Sequence, residues 1–299
     1  MISFIETILG SVLSSFIIII VGAFLALIIN FIFPSFQRWT RMILFYLIIM
    51  VALKPAFDHL ILIREIAKSV SMMFIGVYPV LTASMIAAGG AFGLLNFQPA
   101  MLLFANGAVV LADQVLIPLL TATLVFDLAS RLLPEVPFTK MADLIRTTLL
   151  GAVSASVAAY SIFITAGGTM TWALSGLTSG PVKELISQNI PLIGSFVTDS
   201  MSTIGKYSSG VSIFAGGWLI TTIWTVALLP SLKTLLTAFF YRWTAALIEP
   251  FAHEDLTGII DDIGKTLFVL CAVSFLIAFA FIYTALFSII FIKLIVTIR

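Results

Sequence analysis

The chain has 299 residues, of which 61% are hydrophobic and only 10% charged, against roughly 25% charged in an ordinary soluble domain, and its mean hydropathy is +1.19. The net charge is +1 and no basic run is dense, so composition supports neither a nucleic-acid partner nor a polybasic lipid patch. The single cysteine, Cys271, rules out an internal disulfide, and two histidines expected in separate loops, His59 and His253, argue against a metal, redox centre or other cofactor.

Charges are grouped, leaving uncharged runs at 7–37, 69–112, 147–182, 207–232 and 266–292, each long enough for the ~20 residues that cross a bilayer. A shorter run, 42–53, makes a further crossing if Lys54 snorkels to the interface. Backbone groups in lipid must bond within their own segment, and long apolar stretches without two-residue alternation favour helices over a barrel. The expected fold is an all-α polytopic membrane protein with about seven to eight membrane segments. The first stretch has no basic region before its apolar part, which is too long for a signal-peptide core, so it reads as a permanent span. The next polar stretch, 55–69, is amphipathic and is expected at a membrane surface.

A repeat organises the rest of the chain. Pro79 in "YPVL" and Pro191 in "IPLI" are 112 residues apart, as are Pro118 in "VLIPLL" and Pro230 in "ALLPSL". Further on, "ADLIRTTL" (142–149) aligns with "DDIGKTLF" (261–268), placing Asp143 on Asp262, Arg146 on Lys265 and Thr147 on Thr266. The chain is therefore divided into a two-span leader, 1–66, a first membrane repeat, 67–180, and a second, 181–299, each containing proline-broken helices. Short Gly/Pro-interrupted segments at corresponding places in two halves mark the pathway in many transporters. The pair here is 78–93, with Pro79, Gly89 and Gly90, and 190–205, with Pro191. Each is expected to be kinked or discontinuous at its proline. The sequence leaves open whether the repeats run parallel or inverted, since the basic loops cannot all face one side.

The candidate pathway or interface residues are the polar groups inside these runs. Asp113 follows Asn106 by seven residues on one helix face, either lining a pathway or fixing packing through an interhelical hydrogen bond. Asp199 stands among Thr198, Ser200, Ser202 and Thr203, with Lys206 seven residues on. That set either lines a hydrated cleft or forms a solvated turn in which Asp199 caps a helix. Asp127 and Arg131 read as an i,i+4 pair at a helix end. Gly151, Ala155 and Ala159 form a small-residue stripe, suited to packing within the monomer or to homo-oligomerisation. No nucleotide loop, zinc-protease or nucleophile-elbow motif is present, so no enzymatic activity is expected.

Several blocks together resemble the stage III sporulation protein AE family: "YPVLTASMIAAGGAFGLLNFQPAMLLF" (78–104), "VLIPLL" (115–120), "MADLIRTTLLG" (141–151), "IPLIGSFVTDSMSTI" (190–204) and "LLPSLKTLLTAFFYRWTAALIEP" (228–250). The resemblance implies a polytopic protein of the mother-cell membrane around the engulfed forespore. It also implies work with other subunits, among them a secretion-type ATPase and ring-forming proteins, in a channel or feeding-tube apparatus. The chain is expected to be a short form, without the signal peptide and extracytoplasmic segment of typical members. Two readings stand beside it: a stand-alone secondary transporter using intramembrane acids, and an insertion or assembly factor.

Overall fold

A computed structural model describes residues 16–25, 27–29, 31–32, 37–87, 98–132, 138–163, 214–250 and 252–298. The described residues are almost entirely helical, and five of the helices are long and apolar enough to cross a membrane. The chain is an all-α polytopic membrane protein. We label the helices α1 (Phe16–Ile29), α2 (Gln37–Ala87), α3 (Gln98–Leu111, Ala112–Leu116 and Ile117–Leu132), α4 (Thr139–Phe163), α5 (Phe214–Ile248) and α6 (Glu254–Ile298).

At 1.5 Å per residue, the 51 residues of α2 and 45 of α6 extend about 76 and 68 Å, more than twice the ~30 Å hydrocarbon thickness. In α6, 67% of the most apolar window is buried, against 22–39% in the other four spans, so α6 is the most enclosed of the five. Its start is set locally: the His253 carbonyl accepts the amides of Leu256 and Thr257, and Glu254 and Asp255 occupy the first turn, where acids meet the positive end of the helix dipole. Similarly, the Phe138 carbonyl starts α4 by accepting the amides of Met141 and Ala142. Pro250 stops α5 two residues past Ile248.

Prolines shape α3 and α5 in the same way. A proline at position i clashes with the carbonyl at i−4 and offers it no hydrogen bond. For Pro118 that carbonyl belongs to Gln114 and for Pro230 to Val226. Each lies in the middle of a five-residue π-helical stretch, Ala112–Leu116 and Trp224–Leu228. The wider i→i+5 turn accommodates the proline, after which the α-helix resumes at Ile117 and at Leu229. The two π turns are thus 112 residues apart, like the prolines that come after them.

The N-terminal half differs from expectation in three respects. The short crossing expected at 42–53 and the surface helix expected at 55–69 are parts of one continuous helix, α2. The helix also continues through Pro79 to Ala87, so the discontinuity expected at that proline is absent. His59, expected in a loop, is a buried α2 residue, 6% exposed. The physical reason is that the polar groups read as a boundary are taken up by other helices. The His59 ring lies 2.9 Å from Thr234 Oγ1, Arg64 pairs with Asp113, and Ser71 donates to Asn106.

Two compact units share these helices. The first comprises residues 1–65, 112–153 and 229–274 and carries most of the charged side chains; the second comprises 66–111, 154–228 and 275–299. The second is held by aromatic contacts. Phe74 packs on Phe281 at 5.1 Å, Phe104 on Phe163 at 4.8 Å, and Phe279 stacks on Tyr283. Tyr160 is buried there; its hydroxyl donates to the Ala280 carbonyl at 3.0 Å and bonds the Thr284 hydroxyl. Buried phenols need such partners, since an unpaired hydroxyl is costly away from water. In the first unit, Tyr241 donates to the Ala52 carbonyl at 2.7 Å, and Cys271 is a buried free thiol beside the Ser231 carbonyl.

A candidate site of interlocked charges

The polar core of the first unit lies where two helical hairpins turn. One hairpin is α3 into α4: Phe138 stacks on Phe126, and its amide donates to Ser130 Oγ at 2.6 Å. The other is α5 into α6. Here the helices approach closely because Gly264 has no side chain; a Cβ at that position would fall 2.7 Å from Arg242 Cγ and 3.2 Å from the Ala238 carbonyl oxygen.

Between the hairpins lies a connected set of ions. Arg146 of α4, with its side chain 5% exposed, bonds Asp127 of α3, itself 4% exposed. The same guanidinium reaches Asp143 at 2.9 Å and donates from Nε to Thr266 Oγ1 of α6 at 3.0 Å. Arg131, at the end of α3, crosses to the second hairpin, lying 3.3 Å from Asp262 and 3.7 Å from Asp255. Asp262 also accepts from Lys265 at 3.0 Å, while Asp261 binds Lys265 at 2.9 Å and Arg242 at 3.2 Å. Gly258 makes room for Arg131, since a Cβ there would lie 2.5 Å from its Cζ. Among the described residues, two buried atoms in the set, Asp127 Oδ1 and Arg131 Nε, have no hydrogen-bond partner.

These contacts fix the direction of the hairpins. Arg131 stands at the turn of the first and reaches residues in the first three turns of α6, at the turn of the second. Both turns therefore lie at the same end of the unit, with α3 and α5 running toward it and α4 and α6 away. Asp143 with Arg146 and Asp262 with Lys265, the residues placed on one another by aligning the two segments, each form an i,i+3 ion pair.

The expected i,i+4 pair between Asp127 and Arg131 is not formed; each is committed to a residue more distant in sequence, Asp127 to Arg146 and Arg131 to Asp262. Geometry on a single helix could not reveal this. The available signal was the alignment of "ADLIRTTL" with "DDIGKTLF", which singles out Asp143, Arg146, Asp262, Lys265 and Thr266 without showing that they meet.

Of the residues expected to line a pathway, Asp113 and Asn106 each bond to a side chain of α2. In the first unit Asp113 accepts from Arg64 Nε at 2.5 Å; in the second, Asn106 Oδ1 accepts from Ser71 at 2.9 Å. Asp113 also falls inside the π turn, where the helix is already widened. Pro79 is an exposed position of α2. Gly89, Gly90, Pro191, Thr198, Asp199, Ser202 and Lys206 lie outside the described residues. The Gly151, Ala155 and Ala159 stripe is exposed, with nothing within 4 Å of a Cβ built at Gly151. No group of three or more metal-ligating side chains occurs among the described residues.

Charges inside membrane helices normally face the bundle interior and pair with one another, and here they join hairpins. Fold and site together define a polytopic helical membrane protein whose polar core is an interhelical ion network. The model of the stage III sporulation protein AE family matches residues 2–293, and the chain belongs to that family. It is 22% identical over 239 residues to the stage III sporulation protein AE of Bacillus subtilis (strain 168), a match covering 80% of this chain and 60% of that protein's length. No solved structure matches the chain.

Proposed function

We propose that this protein is a membrane component of an apparatus linking the mother cell to the forespore, acting with partner subunits rather than as an enzyme or a self-sufficient transporter. Partners of the kind the family implies, a secretion-type ATPase and ring-forming proteins, would dock on it from the mother-cell membrane around the forespore. The observation that carries this reading is the state of the acids. Asp127 and Asp262, the buried carboxylates among the described residues, are both engaged by arginine, and so is Asp113. A coupled transporter needs a carboxylate that exchanges its proton or ion during the cycle; a fixed scaffold needs its charges neutralised in place.

The two same-direction hairpins, their π turns 112 residues apart and their equivalent ion pairs support a parallel duplication as the origin of this scaffold. Affinity purification of the tagged protein from sporulating cells tests the functional reading. Stable co-purification of other membrane and ATPase subunits is expected, together with no solute movement by the purified protein alone in liposomes. Substrate-specific uptake by the isolated protein would replace it with the transporter reading.

A further inference from the structure

We propose that a cleft in the first unit binds the phosphate of an anionic phospholipid. The cleft has a volume of about 510 Å³ and is formed by α1, α2 and α5, with Lys54, Asp58 and His59 from α2 and Lys233 from α5 among its lining residues. In this unit Arg64, Arg131, Arg146, Arg242 and Lys265 each have a carboxylate within 4 Å. Lys54 and Lys233 have none among the described residues, although Asp58 lies in the same cleft, and these two unpaired ammonium groups come from different helices into one space.

The position of each lysine adds a second constraint. Lys233 is the first charge after the uncharged run 207–232, and Lys54 the first after 42–53, so each stands where an apolar helix first meets polarity. Convergent Lys side chains between membrane helices are the usual receptor for a lipid headgroup phosphate. The rest of the wall suits acyl chains: Phe16, Val51 and Leu62 are apolar, and Tyr241 contributes its ring while its hydroxyl is spent on the Ala52 carbonyl. His59 Nδ1 is likewise occupied by Thr234. A soluble phosphate would use the same nitrogens but gain nothing from the apolar wall, which favours the lipid.

The test uses the full chain in neutral detergent, titrated with phosphatidylglycerol or phosphatidylcholine carrying the same fluorescent acyl chain, with inorganic phosphate as competitor. Phosphatidylglycerol is expected to bind more tightly than phosphatidylcholine. Lys54→Gln with Lys233→Gln should weaken phosphatidylglycerol binding roughly 30-fold, from about 1 kcal/mol per lysine near a phosphate at 1.4 kcal/mol per tenfold, and leave phosphatidylcholine unchanged. Lys54→Arg with Lys233→Arg should retain binding, which separates charge from packing, and so should Lys140→Gln, on an exposed residue outside the cleft. Competition by millimolar inorganic phosphate without any preference for phosphatidylglycerol would overturn the lipid in favour of a soluble anion. Equal phosphatidylglycerol affinity in the native protein and the Gln double variant, or in the single Lys54→Gln variant should the double not fold, would overturn the site altogether.

Discussion

Replacing Arg146 with Met tests the ion network at its most buried member. The guanidinium serves three groups at once: it neutralises Asp127, pairs with Asp143, and donates to Thr266 across the hairpin boundary. Asp143 is 58% exposed, so losing its partner costs little there, in keeping with the fraction of a kcal/mol typical of exposed pairs. Asp127 is only 4% exposed and would be left as an uncompensated buried charge, at a cost of about 3–5 kcal/mol. With ~2–4 °C per kcal/mol in chains of comparable size, the thermal midpoint should fall on the order of 10 °C. Adding Asp127→Leu should restore most of that loss, because an apolar pair of similar volume dispenses with the desolvation cost of both ions. The assay is thermal unfolding of the purified protein, followed by the fraction remaining monodisperse. If Arg146→Met shifts the midpoint by less than about 2 °C, or the double variant is as unstable as the two single losses added, the network does not hold the hairpins as described.

Gly264→Ala should destabilise the α5/α6 hairpin by about 1–3 kcal/mol, the range for overpacking, because its methyl would meet the Ala238 carbonyl oxygen at 3.2 Å as well as Arg242; the same thermal assay reads this. Gly258→Ala should displace the Arg131 guanidinium from Asp262, so combining it with Arg131→Met should cost no more than Arg131→Met alone. Tyr160→Phe removes the bonds to Ala280 and Thr284 and should cost roughly 1–2 kcal/mol, whereas Gly107→Ala, with open space around it, should be close to neutral.

The membrane class was legible because it depends on run length and composition, which lipid imposes directly on sequence. Helix boundaries in the first half were less legible. Pro55, Asp58, His59 and Arg64 carry the chemistry of a loop, and only a partner on another helix, Thr234 for His59 and Asp113 for Arg64, turns that stretch into continuous helix. The prolines behaved unequally for a local reason: Pro118 and Pro230 each follow a π turn, while Pro79 sits within α2. Asp113 and Asn106 could be placed on a common face by their spacing of seven, but Arg64 and Ser71 could not be named as their partners. For Asp127 and Arg131 the four-residue spacing suggested a local pair, whereas burial against neighbouring hairpins favoured partners 19 and 131 residues away. Choices of that kind depend on tertiary packing and leave no periodic trace.

Deleting the gene in the source organism, and restoring it as the native or the Arg146→Met form, asks whether the protein works in spore formation. A membrane component of the sporulation apparatus should be dispensable for vegetative growth, its loss should arrest spores after engulfment, and the native copy should restore them, while Arg146→Met should restore them poorly in proportion to its reduced abundance in the membrane. Normal spore yield after deletion, in a genome with no second member of the family, would contradict the account.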